Sequence, residues 1–181
     1  MPKILGAGWI KNGRYKLKRK RVSKSYIDLK SLYLKLKEST VFKYPVDNFV
    51  RFDYASKLTS IAVALALYDA GITYAKGEKQ EIGILAVNKN GALDAQVNYF
   101  KDYLNGGRIL GRGNLFIYTL PSSPLAEAAI HFGLTGPLLY MNSKDDILIE
   151  YAGDLVKSGQ AKVMLALSSR GRETAFFVIG A

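Results

Sequence analysis

The sequence predicts an α/β protein: a layered mixed sheet with helices, ending in a β-hairpin. Three observations carry that prediction. Strand-like and helix-like segments alternate along almost the whole chain, the pattern of a sheet crossed by helices. The last two strand candidates are joined by only four residues, Ser169-Arg170-Gly171-Arg172, which suits a hairpin turn. At 181 residues and 49% hydrophobic content the chain can bury one substantial core. No internal repeat or long linker divides it, so a single domain over residues 1–181 is expected.

In chain order, residues 3–10 are the first strand candidate, with Gly6-Ala7-Gly8 inside it. Paired glycines can open a dinucleotide loop, but here the third glycine comes at Gly13 and a basic stretch stands where a helix is required. That stretch holds Lys11, Arg14, Lys16, Lys18, Arg19, Lys20, Arg21 and Lys24. Residues 27–37 set Leu29, Leu32, Tyr33 and Leu36 at helical spacing, with Lys30, Lys35 and Lys37 outside the stripe, an amphipathic helix with a basic outer face.

The strongest helix runs from Asp53, which can cap it, to Ala70, with Gly71 as its stop. Leu58, Ile61, Ala62, Leu65 and Ala66 form one apolar face, yet Ala64 and Leu67 lie opposite, so cover on more than one side is expected. Strands are expected at 81–88 and 114–120, with a helix at 93–104 between them that ends at Asn105-Gly106-Gly107. Gly111-Arg112-Gly113 reads as the loop before the second of these strands. Residues 122–132 form a helix with Pro124 in its first turn and Gly133 at its end. A strand at 138–142, a helix at 144–158 and hairpin strands at 161–168 and 173–179 complete the chain.

Composition excludes several function classes. The chain has no cysteine, so disulfides, thiolate metal sites and thiol catalysis are all ruled out. Its one histidine, His131, rules out a histidine pair and a His-rich metal site within one chain. No metal and no cofactor are therefore expected. Met1-Pro2-Lys3 opens no secretory segment, and the longest strongly apolar run, residues 61–67, is too short to span a bilayer, so a soluble cytoplasmic protein is expected. The charge is uneven. Residues 1–46 hold thirteen Lys/Arg against two acids, Asp28 and Glu38, a net +11; the remainder holds thirteen of each and is neutral. A cationic arm at 11–46 is expected on a neutral body.

Four segments, taken in order, resemble one family. They are FDYASKLTSIAVALALYDAGI (residues 52–72), EIGILAVNKNGALDAQVNYFKDYLNGG (81–107), LPSSPLAEAAIHFGLTGP (120–137) and VKSGQAKVMLAL (156–167). Together they resemble the N-terminal half of a β-ketoacyl-acyl carrier protein synthase, of the thiolase-like superfamily. The likeness covers most of residues 50–181 and, more loosely, 1–10 and 29–40. It implies a thiolase-like half, with a core helix ending in Asp69-Ala70-Gly71 and a strand led by Gly136-Pro137.

The departures carry equal weight. In active ketosynthases the strand led by Gly-Pro ends at a cysteine on the N-terminus of the next helix, where orphan N–H groups and the helix dipole favour the thiolate. Here Pro137 is followed by Leu138-Leu139-Tyr140-Met141-Asn142-Ser143-Lys144-Asp145-Asp146, a shorter turn with no thiol. The family's active-site histidines belong to a C-terminal half that does not appear in this sequence. Asn142, Ser143, Lys144 and Asp145 thus stand as a degenerate nucleophile turn, and no catalytic residue is assigned. Ser143 as a replacement nucleophile needs a positioned base, and His131 lies in a helical stretch; the competing reading is that Ser143 caps the next helix, with Asp146 completing a capping box. His131 is read as a helix-surface or interface residue.

Two charged features remain. Asp146, Glu150 and Asp154 recur every four residues on the helix after the missing nucleophile, either as a solvated face or as a stripe that meets a basic surface of this arm or of a second subunit. The arm itself reads as a solvated, mobile loop, as a docking patch (Lys16, Lys18, Arg19, Lys20 and Arg21) for an acidic acyl carrier protein, or as a nonspecific nucleic-acid contact; the last is disfavoured because no recognisable module accompanies it. Since thiolase-like subunits dimerise through the strand near the Gly-Pro segment, the resemblance implies a dimer edge at Leu138, Leu139, Tyr140 and Met141. The expected partner is a second copy or a ketosynthase-like subunit.

The function expected is that of a non-catalytic accessory protein of fatty-acid or polyketide-type synthesis. The alternatives are an acyltransferase or acyl/CoA-binding enzyme with another nucleophile, and a basic nucleic-acid-associated protein.

Overall fold

The structure, a computed structural model, describes residues 3–109 and 111–181, apart from the side chain of Asp146. Seven strands form one sheet: β1 (Lys3–Lys11), β2 (Arg14–Leu17), β3 (Val22–Ser25), β4 (Ile82–Asn88), β5 (Leu138–Met141), β6 (Val163–Arg170) and β7 (Glu173–Gly180). Their order across the sheet is β3-β2-β1-β7-β6-β4-β5. The β5-β4-β6 group is parallel, and every other neighbouring pair is antiparallel, including the terminal β6–β7 hairpin. The helices are α1 (Leu29–Glu38), α2 (Tyr54–Ala70), α3 (Leu93–Asn105), α4 (Gly113–Phe116), α5 (Ser123–Phe132) and α6 (Asp145–Lys157). None is long and apolar enough to cross a membrane.

Helix α2 is the centre of the larger core. The Asp53 carboxylate accepts the Ser56 N–H at 2.8 Å, and Gly71 stops the helix at φ 75°, a conformation that favours glycine. Every residue from Ile61 to Leu67 is fully buried, because the sheet lies beneath the helix while α5 and α1 flank it. The all-round apolar composition of α2 is therefore answered on all sides. Among the described residues the opposite sheet face carries α6, whose Leu148, Ala152 and Leu155 pack on Leu85, Met164 and Ile179 of β4, β6 and β7.

The structure corrects three expectations. The basic stretch is not a loop: it forms β2 and β3, an antiparallel extension of β1. Tyr15 and Leu17 are buried and alternate with exposed Arg14 and Lys16, a period-two pattern masked by the charge. Asn12 and Gly13, both at positive φ, turn β1 into β2; an Asn-Gly pair between alternating segments was the available signal.

Residues 114–120 are helical turns, not a strand. The segment folds back on α3, with Gln96 donating to the Thr119 carbonyl at 3.1 Å and the Tyr99 and Phe116 rings edge to face, so its apolar residues pack locally and join no ladder. Ser143 does not cap α6. Lys144 holds that position and Ser143 lies one residue outside; the Asp146 half of the expected capping box falls outside the described side chains.

His131, read as a helix-surface or interface residue, is half-buried against Phe42 and Tyr44 of the segment that joins α1 to α2.

Gly6 and Gly8, which do not form a nucleotide loop, serve close packing. A β-carbon on Gly8 would lie 2.2 Å from the Lys16 carbonyl oxygen, and one on Gly6 would lie 2.8 Å from the Ala70 nitrogen. These two contacts let β1 approach both β2 and the end of α2.

Candidate functional site

The parallel strands β5, β4 and β6 end together, and the N-terminus of α6 points at the same edge. Ligands of α/β sheets bind at such carboxyl ends. The structure opens there into a crevice of about 980 Å³, lined by Asn88, Lys89, Asn142, Ser143, Lys144 and Arg170 among others. The whole predicted turn, Asn142 to Asp145, lies on its wall.

Asp145 decides the electrostatics of this crevice. It is the first residue of α6, and its carboxylate accepts the Ser168 hydroxyl at 2.7 Å and the Arg170 guanidinium at 2.7 Å. A helix N-terminus attracts one negative charge to its unpaired N–H groups. Here the chain places its own carboxylate there, ties it to β6, and balances it with Arg170. An anion entering the crevice at this point meets a carboxylate.

Ser143 and His131 do not form a pair. The Leu134 bridge to Gln80 puts the end of α5 at the amino ends of β4 and β5, whereas Ser143 follows the carboxyl end of β5. The seven residues of β4 span roughly 20 Å at about 3.3 Å each, far beyond proton-transfer reach. His131 is committed elsewhere. Its carbonyl accepts the Tyr44 hydroxyl, its ring packs on Tyr44 and Phe132, and its Nε2 has no hydrogen-bond partner among the described residues. Burial pushes its pKa down to about 4, with Asp47 opposing and Lys76 adding to the shift.

A second, smaller cavity of about 140 Å³ lies beside the crevice, between Leu58, Ala86, Tyr118, Leu125 and Tyr140. The Tyr140 hydroxyl donates to the Asn88 carbonyl at 2.5 Å, and the Asn88 side chain closes the β4–α3 loop onto Gly91. Burial, then the neighbouring Glu127 and Asp53, push Tyr118 up to about 12, so its hydroxyl stays protonated. The Glu127 carboxyl is itself raised, chiefly by burial. The cavity thus has an apolar wall and a neutral phenol at one side.

The predicted docking patch divides in two. Asp69, fully buried at the end of α2, accepts the backbone N–H groups of Ala7 (2.9 Å), Arg19 (3.2 Å) and Lys20 (2.9 Å). The Arg19 guanidinium reaches the Ala70 carbonyl at 2.7 Å, and the Lys20 ammonium sits 4.6 Å above the Tyr68 ring. Arg19 and Lys20 are therefore spent on holding the β2–β3 turn. Lys16 and Lys18 remain exposed, as does Arg21 within the turn. Asp69 was legible only as a member of Asp69-Ala70-Gly71; the segment was visible, its role as an anchor was not.

The predicted dimer edge is a sheet edge: Leu138, Leu139, Tyr140 and Met141 form β5, which pairs on one side only, and each is half-buried. A separate feature is an exposed apolar lobe. Helix α3 buries none of its residues, and Val97, Phe100, Phe116, Ile117 and Leu120 are all exposed, Phe100 by 58%. This lobe was not singled out from the sequence, although the spacing of Leu93, Val97, Phe100 and Leu104 makes an apolar stripe.

No protein-family model matches the sequence, and no curated protein matches it. Solved structures do. The ishigamide ketosynthase/chain length factor aligns with a TM-score of 0.66 at 12% identity, over 99% of this chain and 62% of that one. A type II polyketide synthase acyl-carrier protein in complex with its ketosynthase bound to the hexaketide aligns at TM-score 0.63 and 15% identity, again over 99% and 62%. The ketosynthase ApeO in complex with its chain length factor ApeC, from Xenorhabdus doucetiae, gives 0.62 at 12%, over 99% and 79%. This chain thus spans about three fifths of the first of these structures. The fold is the thiolase-like fold of ketosynthases, and the match includes the basic strands that the sequence likeness left out.

Proposed function

We propose that this chain, built on a ketosynthase fold, acts as a non-catalytic accessory subunit of fatty-acid or polyketide-type synthesis and works by pairing with a ketosynthase-like partner. The observation that carries the reading is the exposed apolar lobe of α3 and α4, together with the one-sided strand β5. An exposed apolar patch and a row of unpaired backbone groups are each normally covered by another protein. The lack of any thiol, the carboxylate of Asp145 at the N-terminus of α6 and the distance between Ser143 and His131 all support a role without acyl transfer through this turn. Two of the similar structures are of a ketosynthase with its chain length factor, which makes a subunit of that kind the partner to test first.

A carrier-protein contact belongs to the same reading. Exposed Lys16, Lys18 and Arg21 offer the cationic part of the predicted patch, and one similar structure is of an acyl-carrier protein with its ketosynthase. Electrostatic docking of that kind is fast and salt-sensitive.

The experiment is co-purification of the chain with the ketosynthase-like subunit and acyl carrier protein of its host. Leu139→Asp on β5 is expected to abolish retention of the ketosynthase-like subunit, and Lys16→Glu with Lys18→Glu to weaken carrier binding at low salt. The reading fails if Leu139→Asp leaves retention unchanged. It fails equally if the isolated chain transfers acyl groups and Ser143→Ala removes that activity.

A further inference from the structure

We propose that two copies of this chain also pair through the sheet face that carries α6, each laying the acidic outer side of its α6 on the basic strands β1 and β2 of the other. This goes deeper into the pairing role proposed above and rests on it, but the strands it uses, β1 and β2, lie towards the other end of the sheet from β5.

The face is half-covered. Helix α6 packs on β4, β6 and β7, while β1, β2 and β3 continue the same sheet beyond β7 with no helix above them on this side among the described residues. Neighbouring strands lie about 4.8 Å apart, and packed helices stand about 8–10 Å apart. The next helix position beside α6 therefore falls over β1 and β2. Trp9 forms part of its floor, half-buried, and between it and the start of α6 lies an open gap of about 310 Å³.

Charge selects what fills that position. On β2, Arg14 and Lys16 alternate with buried Tyr15 and Leu17, so they point to this side, and Lys18 continues the alternation. All three are exposed, and none pairs with an acid among the described residues. On α6, Glu150 and Asp154 lie four residues apart on the exposed side; among the described residues Asp154 pairs with exposed Lys157, at 3.3 Å. Among the described residues the cations of the β2 segment are not paired with these acids, although both lie on one face of one sheet. A purely acidic partner would be repelled by Glu150 and Asp154, and a purely basic one by the strands. A twofold copy presents both signs in reversed order, so each contact is made twice. The net charge of +11 opposes association at long range, but beyond about 8 Å that repulsion is screened at physiological ionic strength, whereas contact pairs persist.

The test is the mass of the purified chain by sedimentation equilibrium at about 0.15 M salt, together with emission from Trp9, the sole tryptophan. Three variants are compared: Glu150→Lys with Asp154→Lys, Lys16→Glu with Lys18→Glu, and all four changes combined. All four sites are exposed, so circular dichroism should stay native. The wild type is expected to dimerise with a blue shift of Trp9 emission. Each pair of changes should weaken the dimer roughly tenfold or more, and the combined charge swap should restore it. A wild type that stays monomeric, or a dimer indifferent to both charge reversals, overturns the proposal. A dimer lost in Leu139→Asp but kept in Glu150→Lys with Asp154→Lys also overturns it, while leaving the β5 reading intact.

Discussion

Helices α2 and α3 begin from similar material and end in opposite places. Both carry apolar residues at helical spacing. Every residue of α2 from Ile61 to Leu67 is fully buried, whereas α3 buries none. Within the chain, α2 has the sheet beneath it and α5 and α1 beside it; α3 packs chiefly on the turns of residues 113–119 among the described residues. The difference separates two uses of hydrophobic surface. Around α2 it holds the domain together, and on α3 it stays exposed.

The contrast can be broken experimentally. The largest expected effect is at the centre of α2. Leu65→Ala should cost about 3–5 kcal/mol in urea unfolding, because the fully buried site cannot refill the cavity. An effect below about 1 kcal/mol would mean that α2 is not the organising core. Asp69→Ala at the end of the same helix should cost about 3 kcal/mol by stranding three backbone donors, and amide exchange of Ala7, Arg19 and Lys20 should accelerate with it. Native exchange at these amides would contradict the anchoring role. Gly8→Ala should cost about 1–3 kcal/mol by overpacking against the Lys16 carbonyl, read as a drop in melting temperature.

A further test uses pH at the segment that seals α2. His131 has a folded pKa of about 4, below its ordinary 6.5. Between those values the unfolded chain takes up a proton that the folded chain refuses, so His131 lowers stability as pH falls from 6.5 towards 4 and has no such effect above 6.5. His131→Phe should show a shallower loss of melting temperature over that window, and equal slopes would refute the burial of a neutral imidazole. The smallest effect belongs to α3. Phe100→Ala should change the stability of the isolated chain by under about 0.5 kcal/mol. In co-purification, however, it should weaken retention of the ketosynthase-like subunit. A change that is large in isolation and absent in pairing would reverse the comparison.

Much of the architecture was legible because it depends on neighbours in sequence. The Asp53 cap, the Gly71 and Gly133 stops and the Pro124 start act within one or two turns, and all stand where the pattern put them. The edge position of Leu138 to Met141 followed from the family likeness and agrees with the strand order. The segment at 114–120 was misread because its strand-like composition contacts α3 locally and meets no ladder. Strands β2 and β3 were missed because cations at Arg14 and Lys16 masked the alternation with Tyr15 and Leu17.

The sequence by itself determined that no thiol chemistry is available, that the charge lies near the N-terminus, and that a mixed sheet closes in a hairpin. Those conclusions need only composition and short-range pattern. Tertiary structure alone decided that Asp69 gathers three amides from β1 and the basic turn, that Asp145 is tied to Ser168 and Arg170, and that Ser143 and His131 stand at opposite ends of β4. Each depends on residues brought together, or kept apart, by strand order across the sheet, and strand order is set by burial over the whole domain.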